Sequence, residues 1–163
     1  MIEYTVKVYD SGDKYWYFNG EIHREDGPAV ERSNGDKEWY KNGVRHREDG
    51  PAIEYSNGNK LWYLNDKLHR EDDTAVEWCD GDKEWFLNGE RHREDGPACE
   101  FSDGRKKWYL NGKKLSEEEF LNRTNKHRHS IIIDGKEIKI SKDSFFELAL
   151  LRYIRDSLRD KNL

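Results

Sequence analysis

The chain has 163 residues, of which 39% are charged and 34% hydrophobic, with a formal net charge of -5. Leu, Ile, Val and Phe together number only 32, too few for a large conventional core, yet six Trp and nine Tyr oppose disorder because a few large side chains can bury much area. Residues 1–10 lack a basic stretch followed by an apolar one and no segment resembles a membrane span, so a secretory signal and membrane insertion are excluded as first expectations, while the acidic balance argues against a nucleic-acid partner.

The organisation is repetitive. HREDGPA occupies residues 23–29, 46–52 and 92–98, and a degenerate HREDDTA occupies residues 69–75, so the starts of consecutive copies lie 23 residues apart. Trp16, Trp39, Trp62, Trp85 and Trp108 keep that period, each followed by Tyr or Phe. Asn19, Asn42, Asn65, Asn88 and Asn111 hold a second fixed place, and Gly12, Gly35, Gly58, Gly81 and Gly104 a third. Four full periods and a fifth, Trp-bearing half cover residues 4–115.

Within a period the turns come in order. Asn34-Gly35 and its equivalents Asn57-Gly58, Asp80-Gly81 and Asp103-Gly104 separate two extended stretches, as hairpin turns do. Asn42-Gly43 marks a second turn and Asp49-Gly50-Pro51 a third, where the missing amide of Pro suits a turn or the first residue of a strand. Between turns the residues alternate: Ile53 with Tyr55 on one face, then Lys60, Trp62 and Leu64 opposite Leu61 and Tyr63. The pattern predicts two strands of about five residues per period, running as an antiparallel meander with no helix before about residue 115. In the third repeat Asp66 and Asp73 replace turn glycines and Thr74 replaces Pro, which predicts a local bulge or altered turn and a place for a specific contact.

After Leu115 the composition changes: residues 116–163 carry 15 of the 32 Leu, Ile, Val and Phe residues and no Trp. Ser116 with Glu119 forms a capping box for a short helix through Phe120 and Leu121. Residues 131–133, Asp134-Gly135 and residues 136–140 read as a hairpin. Ser144 with Glu147 opens a second helix, running to about Arg159 with an apolar stripe at Phe145, Leu148, Leu151, Ile154 and Leu158. The expected organisation is therefore a repeat array over residues 1–115 and a small α+β capping or interaction domain over residues 116–163.

The 23-residue period, the aromatic pair before an Asn-Gly turn, the His three residues beyond that Gly and the closing Gly turn resemble MORN repeats, and more narrowly the HREDGPA variety found in hypothetical proteins of bacteriophages and giant viruses. The resemblance implies an elongated, curved, single-layer ribbon of β-hairpins, a viral or prophage origin, and a protein that acts by binding, either as an inhibitor of a host defence factor or as an antitoxin-like neutraliser. The repeats carry a net charge of -6 and the tail +1, so an anionic membrane leaflet would repel the ribbon.

Four sets of residues could carry chemistry. The His-Arg-Glu-Asp rows are expected to form a structural ladder, Arg of one repeat pairing with Glu or Asp of the next and His packing on Trp or Tyr. Equivalent residues stand two strands, or ~9.6 Å, apart, too far to share a metal ion held at ~2 Å. The other reading is a groove in which Arg24, Arg47, Arg70 and Arg93, with His46, His69, Tyr40, Tyr63, Asp66 and Asp73, grip a partner protein or a small anion such as a nucleotide. One member of each aromatic pair, taken as the Trp, is expected in a thin core and the other on a binding surface. Nothing resembles a phosphate loop, a nucleophile elbow or a zinc signature, and the one unrepeated His cluster, His127-Arg128-His129, falls in an expected loop. Cys79 and Cys99 are predicted to point to opposite sides and remain free thiols, as in a reducing cytoplasm. The expectation is a cytoplasmic, non-enzymatic protein-binding scaffold without cofactor, with self-association through the tail or an edge strand as a further option.

Overall fold

The computed structural model describes residues 3–124 in full and residues 129–133 and 136–140 as backbone. The chain divides into two compact units, Met1–Glu117 and Glu118–Leu163.

The first unit is mainly one antiparallel sheet. The first period contributes β1 (Thr5–Val8), β2 (Lys14–Phe18) and β3 (Glu21–Ile22). The second contributes β4 (Val30–Glu31), β5 (Lys37–Glu38), β6 (Tyr40–Lys41) and β7 (Val44–Arg45). The third repeats this as β8 (Ile53–Glu54), β9 (Lys60–Leu61), β10 (Tyr63–Leu64) and β11 (Lys67–Leu68), and the fourth as β12 (Val76–Glu77), β13 (Lys83–Glu84), β14 (Phe86–Leu87) and β15 (Glu90–Arg91). β16 (Cys99–Glu100), β17 (Lys106–Leu110) and β18 (Lys113–Leu115) close the series. Twelve strands form the main sheet, in the order β1-β2-β4-β5-β8-β9-β12-β13-β16-β17-β18 with β3 beside β2, while β6–β7, β10–β11 and β14–β15 pair as small hairpins of their own.

The meander is the expected one, but the second strand of each inner period is divided at its Trp. Trp39 N–H donates forward to the carbonyl of Ala52 (2.8 Å), whereas its own carbonyl accepts from His46 N–H (3.1 Å). Residues before the Trp therefore belong to the main sheet, and those after it fold back into a hairpin within the same period. Trp62 and Trp85 repeat both bonds, and the result is four two-residue strands per period in place of two long ones. Only in the first and last Trp segments does the strand run unbroken through five residues.

The two Asn-Gly turns differ. Asn42 and Gly43 both have positive φ (51° and 76°), a two-residue type I′ turn. At Asn34-Gly35 Gly35 has positive φ (94°) and Asn34 does not. There Gly35 N–H donates to Arg32 C=O and Arg32 N–H to Asp36 C=O, both at 2.9 Å, which makes a three-residue loop closed by a glycine bulge. The bulge or altered turn expected at Asp66 does not form. Asn65 and Asp66 keep the left-handed pair (φ 51° and 60°), and Asp66 N–H reaches Arg45 C=O (3.0 Å) as Gly43 reaches Ile22 (2.9 Å). Its carboxylate adds a bond from Arg45 N–H of the neighbouring unit (3.1 Å), and Asp is among the few residues that visit this conformation.

The core is thin and uneven. Ala29, Ala52, Ala75 and Ala98 are wholly buried, followed in each unit by Val30, Ile53, Val76 or Cys99. The strand register sets those residues beside Glu38, Leu61 and Glu84 in turn. Glu38 accepts from Arg32 Nε (3.0 Å), Arg32 Nη2 (2.8 Å) and the Tyr40 hydroxyl (2.9 Å), and Arg45 Nε donates to that hydroxyl (3.4 Å). Glu84 accepts from Arg91 Nε (2.8 Å) and Trp78 Nε1 (3.3 Å). Between these polar networks an apolar cluster is shared by the third and fourth units, with Ile53, Leu61, Ala75, Val76 and Phe86 buried together and Tyr63 and Leu68 packed on them. Placing the Trp row in the core is thus corrected. Tyr63 and Phe86 face the apolar cluster, and Trp62 and Trp85, one residue earlier on the strand, are half-buried outside it.

In the second unit α1 (Glu117–Thr124) starts directly after Ser116, and its last hydroxyl, on Thr124, donates to Phe120 C=O (2.9 Å). β19 (His129–Ile133) and β20 (Lys136–Ile140) pair antiparallel with Ile133 opposite Lys136, the hairpin expected around Asp134-Gly135. The second capping box, the helix to Arg159 and His127-Arg128 lie outside the described residues.

Candidate functional site: the His-Arg-Glu-Asp loops

Each HREDGPA segment is a loop wrapped around its own arginine. Arg47 Nε donates to Asp49 (2.9 Å), and its Nη1 donates to the Pro51 carbonyl (3.2 Å) and to Glu54 (3.1 Å). Its Cζ lies 4.1 Å from the centre of the Trp39 ring. Arg24 and Arg93 repeat the arrangement over Trp16 and Trp85 at 4.3 and 3.9 Å. Pairing between repeats is thus found for the Glu, since Glu54 stands on β8 of the following unit, while the Asp partner belongs to the same loop, because the turn returns it two residues on to the guanidinium. The backbone crosses over as well, Arg47 N–H donating to Tyr63 C=O (3.1 Å). The side chains of Arg24, Arg47, Arg70 and Arg93 are 20–29% exposed. Donors already engaged and half covered by a ring are poorly placed to grip a further anion.

Gly50 lets the guanidinium come close to the loop backbone. A Cβ there would stand 2.8 Å from Arg47 Cζ, and Gly27 and Gly96 are as close to their arginines. In the third loop Asp73 occupies that place. Arg70 Nη2 pairs with Asp73 (3.3 Å) while Nη1 still donates to the carbonyl of residue 74 (3.1 Å). Thr74 is buried, its hydroxyl donating to Glu77 (2.9 Å). Asp72, the counterpart of Asp49, is left exposed and without an ion pair among the described residues.

The histidines tie neighbouring units rather than packing chiefly on rings. Asn42, Asn88 and Asn111 each donate a backbone N–H to Nδ1 of His23, His69 and His92 at 3.0–3.1 Å. Nδ1 of His23 and His69 also lies 2.8 and 3.1 Å from the side-chain oxygen of Asn42 and Asn88, and Nε2 faces the Glu two residues on, at 3.7–3.8 Å in these three loops. His46 Nδ1 meets the Asn65 side chain at 2.8 Å, and its Nε2 lies 3.3 Å from Glu48. His23 also meets the rings of Tyr4 and Phe18.

A second tie was missed from the sequence, although Asp13, Asp36, Asn59 and Asp82 keep the 23-residue period. Their side-chain oxygens accept from the backbone N–H of Ser33, Ser56, Cys79 and Ser102 in the next unit at 2.7–2.8 Å. Those N–H groups hold the carboxyls of Asp13 and Asp36 below the ordinary Asp range.

Of the remaining expected site residues, Tyr40 serves the Glu38 network and Tyr63 the apolar cluster, with Arg45 over its ring at 5.2 Å. Cys79 is exposed and Cys99 buried, both as free thiols. Burial, aided by the Glu84 carboxylate, pushes the Cys99 thiol up to about 11.

Successive loops enclose three clefts. The first, about 600 Å³, lies between residues 24–27 and 46–49 with Trp39 and Lys41 in its wall. The next, about 550 Å³, lies between residues 47–50 and 69–72 with Trp62 and Leu64. The last, about 510 Å³, lies between residues 70–73 and 92–95 with Trp85 and Leu87. Their lips are carboxylates, Glu48, Asp49, Glu71, Glu94 and Asp95 being 78–84% exposed. The arginine bonds hold Asp26 and Asp49 below the ordinary Asp range, so these lips stay anionic. Among the described residues no group of His, Cys, Asp and Glu is placed to hold a metal ion, and no helix is long and apolar enough to cross a membrane. Compared with known proteins, the chain matches no family model and no curated sequence.

Proposed function

We propose that the chain is a MORN-like, non-enzymatic repeat scaffold that binds another protein along its row of His-Arg-Glu-Asp loops. One observation carries this reading: three equivalent clefts recur along one row, each with a Trp in its wall and exposed carboxylates at its lips. A surface built by repetition offers length and multiple weak contacts, which suit an extended partner rather than a single small substrate. The narrower role of a viral inhibitor of host defence, or of an antitoxin-like neutraliser, rests on the family resemblance alone.

Sequestration of a nucleotide by the arginine rows is the weaker reading, because those guanidinium groups already donate to Asp, Glu and carbonyl oxygens. The test is capture from cell lysate with the immobilised protein, beside a variant in which Glu48, Glu71, Asp72 and Glu94, carboxylates that no arginine holds among the described residues, become Gln or Asn. A partner held by the parent and lost by the variant, with both melting alike, is the expected outcome. Identical capture by the two would remove the loops from the interface. A melting shift on adding a nucleotide would favour sequestration.

A further inference from the structure

We propose that the two clefts flanking residues 70–73 receive two arginine or lysine side chains from one side of a polyproline-type segment of the partner, cations recurring at every third position. This rests on the protein-binding reading above and adds the chemistry and spacing of what is bound.

Charge selects the sign. Every loop presents two exposed carboxylates while its arginine is turned inward against a Trp ring. The third loop carries one more, because Asp73 replaces a glycine and takes over the pairing with Arg70, leaving Asp72 without an ion pair among the described residues. Both flanking clefts open onto this loop.

The cleft walls select the side chain. Trp62 with Leu64, and Trp85 with Leu87, give apolar walls below acidic lips. A long side chain with an apolar stem and a cationic head matches that order, as Lys and Arg do when the stem is buried and the head stays at the polar rim. Each cleft is lined by two loop arginines paired with their own carboxylates, and the first has in addition Lys41, a cation with no ion pair among the described residues, where the others have Leu. The first cleft is therefore excluded from the site.

Spacing selects the backbone. Neighbouring loops are two strands apart, ~9.6 Å at ~4.8 Å per strand. A polyproline II helix returns to the same side every three residues, after ~9.3 Å. A β-strand returns every two residues, after about 6.8 Å, and fits neither one step nor a simple multiple. An α-helix returns in 5.4 Å turns and, at roughly 10–12 Å across, is too wide to lower two neighbouring side chains between the loops. The left-handed polyproline helix also leaves its backbone solvated and is ordered before binding, so little freedom is lost on docking.

The experiment uses the full chain and fluorescein-labelled peptides read by anisotropy at low ionic strength. One peptide is four Arg-Pro-Pro units. The control has the same four Arg and eight Pro, but with Arg at every second position followed by the remaining prolines. The spaced peptide is expected to bind about tenfold tighter than the control. Asp72→Asn is expected to weaken it about threefold without moving the melting curve, and Lys41→Leu to strengthen it by opening the first cleft. Equal binding of the two peptides, or no effect of Asp72→Asn, overturns the proposal. If neither peptide binds, while the parent still captures a partner that the neutralised variant loses, the spacing inference falls and the protein-binding reading stands. If that capture difference is also absent, both fall.

Discussion

At Arg47 a residue that reads as surface charge proves to be structural. Spacing alone shows that Asp49 and Glu54 are at hand, but not that the guanidinium lies flat on Trp39 with a carbonyl completing its bonds. An exposed ion pair contributes about 0–1 kcal/mol, whereas a stacked, largely covered guanidinium with three acceptors contributes more. Arg47→Ala is expected to cost about 2–3 kcal/mol in urea unfolding. Gly50→Ala tests the same contact from the other side, since the added methyl must displace the guanidinium. It is expected to cost about 1–3 kcal/mol. A melting curve unchanged by either substitution would return the arginine to a surface ladder. The glycine itself was legible, though for the wrong reason: Gly50 is absent from the positive-φ residues, and close approach rather than turn geometry calls for it.

At the scale of the element, the turns and the antiparallel order were legible because Asn-Gly and Asp-Gly recur in register. The division of each strand at its Trp was not, because alternation looks the same in one long strand as in two short ones that part company. What separates them is the destination of one residue's N–H and C=O, and no side chain records that. The side-chain ties between units carry a pH signature. The Ser56 N–H, then the Asn34 amide, keep the Asp36 carboxyl low in the folded protein. A depressed folded value means that its contribution is complete above the unfolded Asp value of about 3.9 and disappears as pH falls through the folded value. The third unit already carries the natural counterpart of Asp36→Asn, for Asn59 makes the equivalent bond to Cys79 N–H at 2.8 Å. The substituted protein is expected to match the parent at neutral pH and to lose less stability on acidification. Unfolding curves at neutral pH and at pH 3 check this, and parallel acid losses would show that the ladder contributes nothing.

Across the repeat unit, stability should peak in the middle. The buried apolar cluster belongs to Ile53–Phe86, whereas all four residues of β1 are exposed, Val6 and Val8 by 45% and 65%. Opposite Tyr15 the first strand offers an exposed Lys7 where β4 offers the buried Val30, and a charge on an edge strand discourages further pairing. Hydrogen exchange is expected to be slowest in residues 53–76 and fastest in residues 5–8, and uniform protection along the array would contradict an uneven core. Composition did foresee a scanty core, but its place was hidden, because Leu61 and Leu68 differ from Glu38 and Arg45 only on comparing units pairwise.

That difference between units bears on how such a gene could lengthen. Recombination between copies adds or removes whole units, and any such product keeps every backbone donor opposite its acceptor. It does not keep parity. Glu-Arg, Leu-Leu and Glu-Arg follow one another in the second, third and fourth units, so an odd duplication brings like beside like: two polar networks abutting, or two apolar cores merging. Duplication by pairs preserves the alternation of polar and apolar units.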